Sequence, residues 1–307
     1  MSAAVVEKSD EAMMFCASCG VAGGDDIKLK KCTACHLVKY CSVKCQKEHR
    51  PKHKKECKKR AAELKDEILF KQPESNHLGD CPICCLPLPL EPRKSTSYSC
   101  CSKFVCNGCD YANRKREIRG RLEQKCPFCR KTMPRTAEEF NERLFKRIET
   151  NDPVAICDMG TKRYLAGDYR SAFEYWTKAA DLGSVSAHFQ LSILYQKGQG
   201  VEKDEKKELH HLEQAAIGGH PRARDNLGWL EGRNGQHNRA VKHYIIAANL
   251  GFDDSLAALK DRYKAGFVSN EDFEAALRGH KAAVDATKSP QREEAEEWRA
   301  GRERKGA

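Results

Sequence analysis

Residues 16–57 decide the fold of the N-terminal part of the chain and read CASCGVAGGDDIKLKKCTACHLVKYCSVKCQKEHRPKHKKEC. The Cys and His residues follow the spacing C-x2-C-x12-C-x2-C-x5-C-x3-C-x7-H-x3-C. Eight such side chains complete two tetrahedral zinc sites, because each ion takes four sulfur or imidazole ligands. The predicted ligands are Cys16, Cys19, Cys32, Cys35, Cys41, Cys45, His53 and Cys57.

The spacing also predicts how these ligands are presented. Each C-x2-C pair can form a tight turn with both sulfurs facing one ion. Cys41 with Cys45, and His53 with Cys57, are four residues apart and therefore share one face of a helix. We take His53 as the ligand, and we expect His49 and His36 to be surface histidines.

A second group of cysteines lies within residues 77–134. Three C-x2-C pairs and one adjacent pair again supply eight sulfurs, and Cys85 is left over as a thiol that we expect to be structural or incidental. The predicted ligands are Cys81, Cys84, Cys100, Cys101, Cys106, Cys109, Cys126 and Cys129. Together the two groups predict four structural Zn²⁺ ions, two in each finger.

The remaining composition limits the class of protein. Residues 1–10 lack the apolar block of a signal peptide, and no stretch approaches the roughly 18 apolar residues that cross a bilayer. We therefore expect a soluble intracellular protein, cytoplasmic or nuclear, with no membrane partner. In a reducing compartment, 17 cysteines with repeated C-x2-C spacing indicate metal ligation rather than disulfides.

The positive charge leaves a nucleic-acid hypothesis open. The formal net charge is +11, but fifteen thiolates around four Zn²⁺ ions would lower it to about +4. Residues 28–60 are rich in Lys and Arg, which either balance the anionic zinc centres or contact phosphates. We favour charge balance, and the residues to neutralise in a test are Lys54, Lys55, Lys58 and Lys59.

A helical repeat follows the cysteine-rich region. Pairs of alanines recur at steps of 36, 32 and 35 residues, and a glycine follows each of the first three pairs. Such glycines suit the left-handed position that ends a helix, and small residues let paired helices approach closely. The pairs are Ala179-Ala180, Ala215-Ala216, Ala247-Ala248 and Ala282-Ala283, and the glycines are Gly183, Gly219 and Gly251.

Two flanking segments complete the repeat region. Thr136 and Glu139 form a T-x-x-E capping pattern, which predicts a linker helix over residues 137–149. Residues 285–307 are dense in Glu, Arg and Lys, and this composition predicts a frayed helix or a disordered tail.

The pattern of residues 16–57, including Tyr40 directly before Cys41, closely resembles the MYND zinc finger. That resemblance implies interleaved sites, one held by Cys16, Cys19, Cys41 and Cys45 and the other by Cys32, Cys35, His53 and Cys57. It also implies that the finger docks short peptides from partner proteins and performs no chemistry.

The second group, with its closing sequence Cys126-Pro127-Phe128-Cys129-Arg130, resembles a RING finger in an all-cysteine variant. The resemblance implies one site of Cys81, Cys84, Cys106 and Cys109 and another of Cys100, Cys101, Cys126 and Cys129. Ubiquitin ligases of this family recruit a conjugating enzyme through residues that match Ile83 and Pro127. Arg130 stands where active members hold the ubiquitin thioester in a reactive pose, which is catalysis by positioning without a covalent nucleophile.

The alanine repeats resemble Sel-one-like repeats, relatives of the tetratricopeptide repeat. The sequence Leu191-Ser192-Ile193-Leu194-Tyr195-Gln196-Lys197-Gly198-Gln199-Gly200-Val201 carries the likeness most clearly. We expect three repeats and a fourth, degenerate unit that caps them, stacked as a solenoid.

These predictions describe a multidomain protein: two small cross-brace zinc-binding modules followed by an all-α helical-repeat solenoid. The function that they favour is a zinc-binding adaptor for proteins, with the RING-type finger as a possible ubiquitin-protein ligase; the alternative is a non-enzymatic scaffold, with nucleic-acid binding less favoured. The predicted segments are a disordered N-terminus (1–15), MYND-type finger (16–57), basic helix and linker (58–76), RING-type finger (77–134), linker helix (136–151), repeats (152–284) and charged tail (285–307).

Overall fold

The computed structural model describes residues 14–306, with side chains as far as residue 302. Most of the expected disordered N-terminus, residues 1–13, therefore lies outside the described range. The chain divides into two compact units, residues 1–71 and 72–307. Between residues 14 and 306 there is no helix long and apolar enough to span a membrane.

The first unit consists of a two-stranded hairpin and one long helix. Strands β1 (Lys30–Lys31) and β2 (Lys39–Tyr40) pair antiparallel, and helix α1 follows as Val43–Leu69. The Ser42 hydroxyl caps α1 by accepting from the Cys45 backbone N–H at 3.2 Å. Helix α1 therefore begins between two predicted ligands, so Cys45, His53 and Cys57 all lie on it.

The second unit opens with the second finger. A single 3₁₀ turn, Pro92–Lys94, leads into the antiparallel hairpin of β3 (Ser95–Tyr98) and β4 (Lys103–Cys106). Helix α2 (Asn107–Arg119) follows directly, so Cys106 and Cys109 sit at the junction of strand and helix.

Ten helices follow β4 and α2 in the order expected for a linker helix and a repeat. The Thr136 hydroxyl caps α3 at the Glu139 N–H, while the Glu139 carboxylate reaches the N–H of Arg135 rather than that of Thr136. The helices after α2 within the described residues are α3 (Ala137–Glu149), α4 (Pro153–Leu165), α5 (Tyr169–Asp181), α6 (Val185–Lys197), α7 (Glu205–Ile217), α8 (Pro221–Arg233), α9 (His237–Asn249), α10 (Asp253–Lys264), α11 (Asn270–Ala286) and α12 (Pro290–Gly306).

Small residues bring the two helices of each repeat together. Trp176 of α5 lies against Gly160 of α4, where an added Cβ would stand 2.5 Å from the indole. Tyr244 of α9 covers Gly228 of α8 in the same way, with an added Cβ 2.9 Å from its ring. The first three alanine pairs are buried, so their role is packing, whereas Ala282 is exposed and Ala283 is half-buried.

The acidic and basic C-terminal segment differs from the expected frayed or disordered tail. It forms α12, which packs against α2 of the second finger, and its Trp298 ring lies 5.2 Å from the Tyr111 ring. Sequence composition missed this because only a few of its side chains, such as Ala295 and Arg292, are buried.

A pair of histidines joins the second finger to the solenoid. The His77 backbone N–H donates to the Gly219 carbonyl at 3.1 Å, and the His77 ring stacks on His220 with centroids 4.1 Å apart. His220 stacks in turn on Phe189, at 4.2 Å. Burial lowers the pKa of His77 to about 4, and burial together with the neighbouring His77 holds the pKa of His220 well below its usual range, so both rings are neutral at pH 7.

This contact should weaken in acid. The unfolded chain protonates these histidines near pH 6.5 and the folded chain only near pH 4 for His77, so stability present above pH 6.5 is lost as the pH falls. We expect His77→Phe, which keeps a stacked ring, to resist this loss by about 1–3 kcal/mol at pH 5. Urea unfolding of wild type and variant at pH 7.5 and pH 5 measures the difference, and an equal pH dependence in both would contradict it.

Candidate metal centres

The first unit brings the eight predicted ligands together as two tetrads. In each tetrad all four ligand atoms lie within 4.8 Å of one another. One tetrad contains Cys16, Cys19, Cys41 and Cys45, and the other contains Cys32, Cys35, His53 and Cys57, so the two are interleaved along the chain.

The distances within these tetrads fit zinc. Sulfurs at about 2.3 Å from a central ion, in a tetrahedron, are about 3.8 Å apart. The Cys41 Sγ atom lies 3.6 Å from the Sγ atom of Cys19 and 3.6 Å from that of Cys45, and the Cys32 and Cys57 sulfurs are 3.8 Å apart. The Nε2 atom of His53 faces the second tetrad, so its imidazole is placed to ligate.

The same backbone turn follows four of the five C-x2-C pairs. In each, the N–H of the residue after the second cysteine donates to the carbonyl of the first at 2.9–3.0 Å. That residue has a positive φ, between 56° and 74°, and it is Gly20, His36, Cys85 or Arg130. Backbone N–H groups inside the turn point at the sulfur; although burial opposes ionisation, they lower the pKa of Cys16 and Cys32 to about 6.

His49 is not the free surface histidine that the spacing suggested. Its ring stacks on His53 at 5.6 Å, and its Nδ1 lies 3.0 Å from the Tyr40 hydroxyl. Burial, and then the nearby thiolates, raise the pKa of Tyr40 to about 12, so the phenol remains a donor to His49. The i, i+4 spacing of His49 and His53 was the available signal for this stack. His36, in contrast, is exposed.

The second finger also contains two tetrads. Cys81, Cys84, Cys106 and Cys109 form one, and Cys100, Cys101, Cys126 and Cys129 form the other. The adjacent pair reaches a single site because the chain reverses there: the N–H groups of Cys101 and Ser102 both point at the Tyr98 carbonyl. Cys100 then lies 3.3 Å from Cys129, and Cys101 lies 3.9 Å from Cys126, sulfur to sulfur.

Polar contacts, one of them buried, hold this finger around its tetrads. The Tyr98 hydroxyl donates to the Asp110 carboxylate, which also pairs with Arg114 at 3.1 Å, so strand β3 is tied to helix α2. Asn113 of α2 donates to the Lys125 carbonyl at 3.1 Å and accepts from the Arg130 guanidinium at 2.8 Å. The last C-x2-C turn is thereby fixed to the same helix.

The predicted partner-binding residues of this finger are accessible to different extents. Ile83, inside the first C-x2-C pair, is 42% exposed, and Phe128, inside the last pair, is also 42% exposed. Pro127 is half-buried and Arg130 is exposed. Phe128 was not among the predicted contact residues, although its place beside Pro127 would have indicated it.

Comparison with known proteins identifies two of these parts. The MYND finger family matches residues 16–57, and the Sel1 repeat family matches residues 153–184, 185–220 and 221–252. The chain therefore carries a MYND finger and three Sel1 repeats, and its four tetrads are suited to Zn²⁺. Helices α10 and α11 form a further helix pair after the third matched repeat.

Individual relatives are similar over short stretches. The chain is 43% identical to the putative beta-lactamase HcpC of Helicobacter pylori strain J99 over 56 residues, which is 18% of this chain and 19% of that protein. It is 58% identical to the human histone-lysine N-methyltransferase SMYD3 over 31 residues, 10% of this chain and 7% of that protein. The chain thus spans at most about a fifth of these relatives.

Among solved structures, a Sel1 repeat protein from Oxalobacter formigenes is similar to this chain. The match has a TM-score of 0.42 and 26% identity, and it covers 51% of this chain and 68% of that one.

We expect Cys101→Ser to lower the zinc content from four ions to three, because serine cannot replace the thiolate at the site shared with Cys126. Cys85→Ser is the matched control: Cys85 is exposed, belongs to no tetrad and should leave four ions. Native mass spectrometry of both variants counts the bound ions. Equal zinc content in the two proteins would remove Cys101 from the ligand set.

Proposed function

We propose that this protein is a zinc-dependent adaptor that holds two partner proteins at once. The observation that supports this most directly is the combination, in one chain, of zinc-stabilised fingers with exposed turns and a Sel1 solenoid. MYND fingers and Sel1 repeats both serve protein interaction. Stable zinc sites would keep the small fingers rigid, so that their surface residues lose little conformational entropy when a partner binds.

A pocket on the solenoid supports a particular kind of partner for the repeats. It has a volume of about 380 Å³ and lies among helices α6 to α10. Three carboxylates line it, from Glu208, Asp225 and Asp254, and none of its described lining residues is basic. The side chain of Trp229, 51% exposed, forms part of its wall.

The carboxylates of this pocket are poorly compensated. Glu208 is 8% exposed and accepts a hydrogen bond from the Gln196 amide at 3.0 Å, while Asp225 accepts from the Ser255 hydroxyl at 2.6 Å. Burial raises the pKa of both carboxyl groups. A buried carboxylate with neutral hydrogen-bond partners gains most from an added cation, so the pocket suits a Lys or Arg side chain of a partner protein.

The test is binding of the full chain to an array of immobilised 15-residue peptides of varied composition. We expect the bound peptides to be enriched in Lys and Arg, with binding that weakens at low pH as the carboxyl groups protonate. Glu208→Gln with Asp225→Asn should reduce binding at least tenfold and raise the melting temperature, since one buried and one half-buried charge are removed. Asp261→Asn is the control, because Asp261 is exposed on α10 outside the pocket.

Binding of peptides without basic enrichment would argue against this site. Equal binding by the double variant and the wild type would argue against it as strongly.

A second candidate function concerns the second finger, which we propose to act as a ubiquitin ligase. The supporting observation is the surface around its outer turns: Ile83 and Phe128 project apolar groups, and Arg130 is held by Asn113 next to the final cysteine. Ile83 and Arg130 stand where the RING resemblance implies residues that recruit a conjugating enzyme and orient the ubiquitin thioester, and Phe128 adds an exposed apolar group beside Pro127.

Ubiquitin transfer tests this candidate. The zinc-loaded chain is incubated with activating enzyme, a panel of conjugating enzymes, ubiquitin and ATP, and conjugates are followed on gels. We expect Ile83→Ala and Arg130→Asn to lower the rate at least tenfold; asparagine tolerates the left-handed backbone of residue 130, which has φ 63°. Leu165→Ala is the control, since Leu165 is an equally apolar side chain, 79% exposed on the solenoid.

The absence of conjugates across the panel, with zinc bound, would favour the non-enzymatic scaffold. Loss of activity in Leu165→Ala as well would show that the variants act through the fold and not through recruitment.

A further inference from the structure

The last helix of the chain lies across the second finger. Arg292, near the start of α12, passes over Gly108 of α2, where an added Cβ would be 2.9 Å from the Arg292 Cγ. Lys115 of α2 pairs with Glu294, and the Tyr111 ring of α2 lies 5.2 Å from the Trp298 ring; Lys94, in the 3₁₀ turn before β3, pairs with Glu296 at 3.2 Å. The two helices therefore touch along several turns, although residues 290–306 are far from the finger in sequence.

The Arg292 guanidinium contacts the first turn of this finger directly. It is only 5% exposed, and its Nη1 donates to the Pro87 carbonyl at 2.7 Å and the Thr287 carbonyl at 2.6 Å. Its Nη2 donates to the Leu86 carbonyl at 3.2 Å and lies 3.5 Å from the Cys84 sulfur. The Arg292 side chain thus joins α12 to the Leu86–Pro87 segment, which directly follows the zinc-ligand candidate Cys84 and its neighbour Cys85.

The charges of these groups are complementary. A buried guanidinium is costly unless an anion compensates it, and backbone carbonyls supply only partial charge. Four thiolates around Zn²⁺ carry a net charge of −2, and the Cys84 sulfur, one of the four, lies 3.5 Å from the Arg292 Nη2. Donors to metal-bound ligands orient those ligands, and their removal typically weakens metal binding about 10- to 100-fold.

We infer that Arg292 is a positioning residue of the Cys81, Cys84, Cys106 and Cys109 site, and that α12 is a strap whose docking and the zinc occupancy of this site stabilise each other. The coupling is reciprocal, because an interaction that favours zinc when α12 is docked must favour docking when zinc is bound. A partner that pulled α12 away would therefore loosen this zinc ion. The inference holds whether or not the finger is a ligase.

The first test measures zinc release from the full chain into excess chelator with a colorimetric indicator. We expect Arg292→Ala to release one of four zinc ions about 10- to 100-fold faster than the wild type, with the other three unchanged. Arg292→Lys keeps the positive charge but loses the two-pronged guanidinium, so its rate of zinc release should lie between those of the wild type and Arg292→Ala. Arg299→Ala is the matched control, since Arg299 also lies on α12 but donates to the Arg93 carbonyl and touches no sulfur.

If Arg292→Ala released zinc from all four sites at the wild-type rate, the inference would be overturned. An equal acceleration in Arg299→Ala would overturn it too, because any disturbance of α12 would then suffice.

The reverse direction of the coupling needs no substitution at Arg292, so it remains testable if that variant fails to fold. Amide hydrogen exchange along α12 is compared in Cys109→Ser, which removes a ligand of the strapped site, and in Cys35→Ser, which removes one in the MYND finger. We expect protection of residues 290–302 to fall only in Cys109→Ser. Unchanged protection in both variants would show that α12 docks without regard to zinc.

Discussion

Sulfur atoms gathered around zinc are the interaction on which both fingers depend. In the MYND finger, five of the six residues in the buried cluster are cysteines of the two tetrads, and the sixth is Tyr40. The core and the metal site are therefore the same set of atoms. The left-handed turn after each of four C-x2-C pairs presents two sulfurs on one side of the chain, so local backbone geometry and metal ligation support each other.

The second finger differs because its packing extends beyond its own sulfurs. Its cluster includes Leu88, Tyr98 and Val105, and the finger also contacts the solenoid at His220 and the C-terminal helix α12. The segment before it stacks His77 on His220 of the solenoid, while α12 returns from the last repeat to cover α2. Finger and solenoid are consequently one compact unit, and a change at the end of the chain can reach a zinc site near residue 84.

In the solenoid, the residues that pack the helices are different from the residues that line the proposed binding pocket. Alanine and glycine bring its helices close together, and the larger side chains Trp176 and Tyr244 fill the remaining space. Carboxylates that hydrogen-bond only to neutral groups collect instead around the pocket at Glu208. In the proposed function, the charge of the pocket serves a partner while the stability of the repeat comes from apolar contacts.

The sequence by itself determined the classes of module and the grouping of their ligands. Cysteine spacing is a strong signal because tetrahedral ligation tolerates few arrangements, and the MYND finger and three Sel1 repeats are confirmed. The RING-type assignment of residues 77–134 still rests on its cysteines and on the resemblance. Tertiary structure alone decided how the adjacent Cys100 and Cys101 both reach the one site that the resemblance implied, that His49 stacks on His53, and that the charged C-terminal residues form a docked helix. The docking of α12 depends on a buried guanidinium that contacts Cys84, Leu86 and Pro87, and composition or local spacing carries no record of so long-range a contact. The chain reversal and the ring stack are local, but they depend on backbone and ring orientations that residue spacing alone leaves open.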